Sequence, residues 1–334
     1  MRAAVLHVPG PIESGPRLSL EELPTPEPGP GQVRIRVEAC GVCHTDLHVV
    51  EGELPPLGHP VVPGHQIVGR VEAVGSSVEA SLLGQRVGVG WLGWADGTCR
   101  FCRAGQENLC EHGRFTGYHL NGGYAEATVA DAGFVYPLPD VPDATSLAPL
   151  LCAGVVGFRA LRLSGAGRDA RLGLYGFGAS AHLVLQVARH LGCHVLVFTR
   201  GAEHRQLALD LGAEWAGPAE EVSSPGGPLH AAIIFAPAGG LVPLALRALD
   251  RGGTLVLAGI YMSPIPELPY SLLWQERVVR SVANATRQDA RDLLNLVQRQ
   301  RVRIEAATLP LAGANSALTR LKTGAVRASL VLVP

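Results

Sequence analysis

Between residues 171 and 198 the chain reads strand, glycine turn, helix, strand, and few folds accommodate that order. Arg171–Tyr175 is a short apolar strand, and Gly176-Phe177-Gly178-Ala179-Ser180-Ala181 follows it as a G-x-G-x-x-A turn. Ala181, Val184, Leu185, Ala188 and Leu191 then share one helical face, Gly192 supplies the stop, and His194–Phe198 is the next strand. The first glycine permits a tight bend and the second lets the backbone approach a pyrophosphate. Ala181 keeps the helix close to the sheet, and the free N–H groups of the helix face the anion. In this context the six residues Gly176, Phe177, Gly178, Ala179, Ser180 and Ala181 predict a dinucleotide site. The rhythm continues with a helix over 203–211, strands over 231–235 and 254–258 with a helix around 241–249 between them, and a strand over 278–283. Such alternation builds a doubly wound parallel sheet, so 151–285 is expected to be a Rossmann domain.

Residues 1–150 follow another rule. They are rich in Gly and Pro, with short β-branched runs such as Val33-Arg-Ile-Arg-Val37 and Gln66-Ile-Val-Gly-Arg-Val71. This predicts a β-rich domain, completed by 286–334 with a helix over 288–300 and a last strand over 329–333. A length of 334 residues suits two domains at about 150 residues each. Lys+Arg 28 against Asp+Glu 29 leaves a net charge of -1, which offers no basic field for nucleic acid or an anionic membrane. No apolar run approaches the roughly 20 residues that span a bilayer, and the opening MRAAVLHVPG lacks a signal-peptide core. The expectation is a cytoplasmic protein with a small-molecule partner and neither nucleic acid nor membrane.

Seven cysteines without a secretory signal argue for metal ligands or reduced thiols rather than disulfides. Cys99-x2-Cys102-x7-Cys110 offers three thiolates, and Asp96, three residues earlier, completes a four-ligand structural zinc set. An emptied site with three reduced thiols is the alternative. Cys43, His65 and Cys152 have no local spacing that declares a site, and a buried cysteine is usually a small hydrophobe. At the tip of the second strand, Phe198-Thr199-Arg200-Gly201 carries no acid to accept from a ribose 2′-hydroxyl. Thr199 and Arg200 suit a 2′-phosphate, with Arg205 a second arm, so NADP(H) is expected over NAD(H). The plain alternative is that both arginines are solvated.

Cys40-Gly-Val-Cys-His-Thr-Asp-Leu-His48, Pro63-Gly-His65, the cysteine loop, Leu151-Cys152-Ala-Gly and the glycine turn occur in one order. In that order they resemble the zinc-dependent alcohol dehydrogenases of the medium-chain dehydrogenase/reductase superfamily, over essentially the whole chain. The closest likeness is to the bacterial branch that reads GHQ in place of GHE. The resemblance implies a GroES-like catalytic domain beside the Rossmann domain, and a homo-oligomer, dimer or tetramer. It also implies two zinc ions per chain and reversible oxidation of an alcohol to an aldehyde or ketone. Cys43, His65 and Cys152 would hold the catalytic zinc, with Asp46 orienting His65 and Cys40 not a ligand. Thr45 and His48 would relay the alcohol proton, while His44 and Arg327 would lie near the cofactor phosphates. Two positions depart from the family pattern: Gln66 replaces a glutamate near the metal, and Asp96 replaces the first structural-zinc cysteine. Trp91, Leu92, Tyr118 and Trp274 are the candidates for an apolar substrate slot.

Three competing readings are weaker. A polyol dehydrogenase of the same superfamily needs more polar pocket groups, and a zinc-free quinone reductase would not carry Cys43, His65 and Cys152 together. A zinc ribbon that binds nucleic acid or senses redox state fits neither the net charge nor the dinucleotide turn.

Overall fold

The strand Gln32–Val42 buries Val33, Ile35 and Val37 in alternation, the period-two signature of a sheet with one face on a core. The computed structural model describes residues 1–55, 57–141, 143–220, 226–300, 302–326 and 329–334. It separates into two compact units, Met1–Cys152 with Thr286–Pro334, and Ala153–Ala285.

In the first unit the strands run in the order Ala306–Pro310, Ser329–Val333, Gln32–Val42, Gln66–Val74, Arg86–Val89 and Val135–Pro137, with Ala127–Asp131 also paired to Gln32–Val42. Antiparallel pairing prevails, with one parallel pair between the two C-terminal strands. Leu330 lies opposite Val42, which stitches the chain's end into the N-terminal sheet. Gly41 lies opposite Gln66, and this register brings the segments holding Cys43 and His65 to the same end of two neighbouring strands. Cys152 reaches that end by a different route. The 3₁₀ turn Ala148–Leu151 lays Leu151 over Gly88, where an added Cβ would sit 2.6 Å from a leucine methyl.

The second unit holds six parallel strands in the order Trp215–Gly217, His194–Phe198, Arg171–Tyr175, Leu229–Ile234, Leu249–Leu257 and Val278–Ser281. The order reverses between Arg171–Tyr175 and Leu229–Ile234, the switch point at which such sheets bind ligands. The central strands are apolar on both faces because helices cover both. The helix Ala179–His190 buries Ala181, Val184, Leu185 and Ala188, as their spacing predicts. Leu191 departs from that expectation and is exposed. The helix ends one residue before it, and Gly192, at φ +86°, turns the chain away. The helix Ala153–Ser164, which has no glycine-turn signal ahead of it, packs on Ala179–His190 through Gly157. A Cβ there would meet a Val184 methyl at 2.5 Å. No single helix among the described residues is long and apolar enough to cross a membrane.

Candidate active site

The helix His44–Glu51 begins at Cys43, and its first turn positions three functional side chains. Cys43 is the N-cap: its sulfur accepts from the Thr45 N–H at 3.4 Å, and its own N–H donates to Asp46 Oδ2 at 2.9 Å. This is a capping box with a cysteine in the place usual for Ser or Thr. Helix N–H groups around a sulfur favour its thiolate. Asp46 Oδ1 also accepts from His65 Nδ1 at 2.9 Å and from the Gly64 N–H at 3.2 Å. With Nδ1 donating to a carboxylate, the lone pair of His65 lies on Nε2. That atom is buried and has no hydrogen-bond partner among the described residues.

The ligand atoms of Cys43, His65 and Cys152 lie within 4.8 Å of one another, and the two sulfurs are 3.8 Å apart. A disulfide would need about 2 Å. Ligands about 2.3 Å from a common centre at the tetrahedral angle lie about 3.8 Å apart, which is the spacing here. An orphaned imidazole lone pair beside two sulfurs fits a soft divalent cation of the zinc type. The charges agree. The hydrogen bond from Cys152 pulls the Cys43 thiol well below its ordinary pKa, and His65 adds to the effect against burial. Burial opposes a charge on His65, yet the Asp46 carboxylate and Cys43 hold its pKa up at about 10, so without an ion Nε2 carries a proton that a bound cation would displace. Cys40 is fully buried, its thiol pushed up by that burial, and it stands outside the set.

The second cluster is Asp96, Cys99, Cys102 and Cys110, again with ligand atoms within 4.8 Å of one another. The Cys102 N–H donates to Cys99 Sγ and the Asp96 N–H to Cys110 Sγ, each at 3.5 Å, so the loop is folded around its sulfurs. Asp96 Oδ1 accepts from the N–H groups of Thr98 and Cys99, and His112 Nδ1 donates to Oδ2 at 2.8 Å. The Cys99 N–H, then His112 and Thr98, hold this carboxyl well below the usual carboxylate range. An aspartate kept ionised among three sulfurs fits the same kind of cation.

In the second unit, Gly176 sits at φ +86°, and a Cβ there would press on Ala236 at 2.9 Å. Gly178 differs. At φ −113° it caps the helix Ala179–His190, and a Cβ on it would meet no described atom within 4 Å. The protein itself leaves that space open, as a pyrophosphate over the helix N-terminus requires. Phe177 and Ala181 are buried beneath the turn, and Ala179 and Ser180 open the helix. At the neighbouring strand tip Thr199 is buried and Arg200 exposed, while Arg205 folds back and donates to the Arg200 carbonyl at 2.9 Å.

Residues 29–140 match the family described as alcohol dehydrogenase GroES-like domain, and residues 181–299 match zinc-binding dehydrogenase. A probable alcohol dehydrogenase, AdhA, of Mycobacterium tuberculosis is 46% identical, over 100% of this chain and 97% of its own length. The chain belongs to the zinc-type alcohol dehydrogenases of the medium-chain superfamily. Acetophenone reductase from Geotrichum candidum, solved with NAD, superposes with a TM-score of 0.86 at 27% identity, covering 100% of this chain and 97% of that one. A zinc-binding dehydrogenase from Sinorhizobium meliloti, solved with NADP, gives 0.88 at 26% identity, covering 100% and 99%. This alcohol dehydrogenase is therefore an alcohol–carbonyl oxidoreductase with a GroES-like domain in its first unit and a Rossmann sheet in its second.

Of the other candidate side chains of this dehydrogenase, Trp91 lies against His65. The Trp91 ring stands edge-on to His65 at 5.0 Å and stacks on Phe115 at 5.1 Å and Tyr118 at 6.2 Å. Leu92 is buried in the strand Leu92–Trp94. Trp274 belongs to the other unit, 59% exposed and edge-on to Tyr270. His48, one turn past Thr45, donates from Nδ1 to Glu53 Oε2 at 2.5 Å. The Gln66 amide lies against Gly41, where a Cβ would meet it at 2.4 Å. His44 is exposed at the first position of its helix, and Arg327 falls outside the described residues. Sequence reasoning missed Glu53, Phe115 and His112. His112 had a faint signal, two residues past the last cysteine of the loop.

Proposed function

We propose that this enzyme holds a catalytic zinc on Cys43, His65 and Cys152 and a structural zinc on Asp96, Cys99, Cys102 and Cys110. With NADP(H) as the favoured cofactor, it interconverts small alcohols and their aldehydes or ketones. The observation that carries the reading is the buried, unpartnered His65 Nε2 beside two sulfurs 3.8 Å apart. Zinc bound there would supply a Lewis acid for the substrate oxygen, and a bound nicotinamide would supply the hydride acceptor or donor. The chain supplies the rest. Asp46 fixes the His65 tautomer and ring orientation. Thr45 Oγ1, 3.6 Å from Cys43 Sγ, accepts the proton of the substrate hydroxyl as it releases its own into the relay. His48, hydrogen-bonded to Glu53, passes it outward. The Trp91, Phe115 and Tyr118 stack forms an apolar wall on the His65 side that excludes water. Gly178 receives the pyrophosphate, and Arg200 the 2′-phosphate.

The test is a panel of primary alcohols and aldehydes with NADP(H) and NAD(H), on protein of measured zinc content. Two zinc ions per chain and alcohol-dependent nicotinamide reduction are expected; metal-loaded protein inert toward the whole panel would contradict the reading. Self-association belongs to the same proposal, with the edge strand Val278–Ser281 and the exposed Tyr270 and Trp274 as surface available for it. Sedimentation of the zinc-loaded protein measures it.

Gly178→Ala separates the fold from the cofactor. Its Cβ meets no described protein atom and its φ is ordinary, so the melting temperature should match the wild type. Cofactor affinity, followed by NADPH fluorescence, should fall roughly tenfold or more, because the methyl group occupies the pyrophosphate's approach. Unchanged affinity would move the dinucleotide elsewhere.

Asp96→Ala removes the one oxygen ligand of the loop. It should release one of the two zinc ions to a chelator and lower thermal stability, with turnover per folded molecule nearly unchanged. Zinc content still at two would call for a different fourth ligand.

A further inference from the structure

The helix His44–Glu51 leads away from the metal set, and its polar groups form a graded path. Thr45 and His48 stand one turn apart on one face. Thr45 is 6% exposed, the His48 side chain 16% and the Glu53 side chain 49%, so the three run in order from the buried site to solvent.

Glu53 is bound to His48 twice. Its N–H donates to the His48 carbonyl at 3.0 Å, and its Oε2 accepts from His48 Nδ1 at 2.5 Å. Gly52 makes this return possible. At φ +79° it ends the helix in the left-handed region, and a Cβ on it would stand 3.0 Å from a Pro9 side-chain carbon. The acid one residue earlier is used differently. Glu51 Oε1 accepts from the Ile12 N–H at 3.1 Å and from Lys322 Nζ at 2.5 Å, which ties the helix into its own unit. A half-exposed acid–imidazole pair adds little to stability, so holding the fold together does not explain a second carboxylate set on this ring. Its effect is on the ring itself. An imidazole whose Nδ1 donates to a carboxylate carries its lone pair on Nε2, and the same bond fixes the ring's rotation.

We propose that Glu53 is a positioning residue of the proton relay, whose carboxylate keeps His48 in the Nδ1–H tautomer with the Nε2 lone pair as the acceptor. In alcohol oxidation the substrate O–H bond breaks as its proton goes to Thr45 Oγ1. The Thr45 hydroxyl proton bonds to His48 Nε2, and that proton then passes to water. Nδ1 keeps its own proton throughout, and Glu53 faces the positive charge that the ring carries in transit. The inference rests on the reading of Thr45 and His48 as the relay.

The experiment compares wild type with Glu53→Ala, His48→Ala and the pair, all zinc-loaded, using the most active primary alcohol and cofactor of the panel. Proton release is followed with a pH-indicator dye after rapid mixing, beside steady-state turnover. His48→Ala should slow release and kcat for oxidation roughly a hundredfold, and Glu53→Ala about tenfold. KM for the alcohol should stay within about twofold of wild type in Glu53→Ala, because the carboxylate acts on proton transfer and not on binding. In the His48→Ala background the same change should add less than about twofold, since the ring it acts through is gone. Wild-type release in Glu53→Ala, or an undiminished tenfold loss in the His48→Ala background, overturns the inference. A second reading needs no turnover. In protein labelled with ¹⁵N-histidine, the His48 ring, assigned by its loss in His48→Ala, should be protonated at Nδ1 in the wild type and move toward the Nε2–H form in Glu53→Ala. An unchanged tautomer overturns the role. If His48→Ala releases protons as fast as wild type, the relay in the proposed function falls as well. If His48→Ala is slow and Glu53→Ala is not, only this inference falls.

Discussion

Cys152→Ser is expected to give a folded chain that keeps one zinc ion and loses alcohol turnover by roughly a thousandfold or more. The residue enters the site at the end of the Ala148–Leu151 turn, and the sheet cores of both units are built without its side chain. A serine hydroxyl is a harder, weaker ligand than a thiolate for this kind of ion. What disappears is a Lewis acid worth several kcal/mol of barrier, and each 1.36 kcal/mol is about tenfold in rate. Metal analysis, melting temperature and kcat/KM on the same preparation check all three parts. A variant with one zinc ion and wild-type turnover would remove Cys43, His65 and Cys152 from the chemistry.

Arg200→Ala is expected to abolish the proposed preference for NADP(H). The strand-tip residues Phe198-Thr199-Arg200-Gly201 include no carboxylate to accept from a ribose 2′-hydroxyl or to repel a 2′-phosphate. Thr199 is buried there, with its N–H donating to the Gly217 carbonyl at 2.8 Å, while Arg200 is exposed. A charge-assisted pair is worth about 1.5–3 kcal/mol, or roughly ten- to a hundredfold in affinity. The wild type should therefore favour NADP(H) over NAD(H) by that order, and Arg200→Ala should bring kcat/KM for the two close together. Arg205 contributes less, since its guanidinium is already engaged with the Arg200 carbonyl. A wild-type enzyme with equal or better kcat/KM for NAD(H) would contradict the assignment.

The two halves of the chain were legible to different degrees, for a physical reason. The dinucleotide turn is local chemistry: a bend, an approach and a close packing contact fall within six residues, between a strand and a helix whose periodicities are plain. The Asp96–Cys110 loop is local too, and its spacing alone groups Asp96, Cys99, Cys102 and Cys110 as one candidate set. Cys43, His65 and Cys152 are not local. They meet through the pairing of Gly41 with Gln66 and the seating of Leu151 on Gly88, which no spacing rule contains. The ordered likeness to a family supplied what periodicity could not.

Smaller features escaped for the same cause. The strand Trp215–Gly217 is three residues long, too short to carry an alternation. Leu191 fits the apolar stripe of the preceding helix but falls past its last turn. Glu53 meets His48 only because Gly52, at φ +79°, turns the chain back after the helix. Partners that depend on tertiary proximity leave no pattern in a single chain.

The most direct test is a titration of the zinc-loaded enzyme with a chelator, with zinc remaining per chain and alcohol-dependent NADP⁺ reduction measured on the same aliquots. Cys152→Ser and Asp96→Ala assign each phase of zinc loss to its site. Turnover should fall in step with loss of the ion on Cys43, His65 and Cys152, return when zinc is restored, and be nearly indifferent to the ion on the Asp96 loop. Full turnover after the first ion has gone would contradict the account.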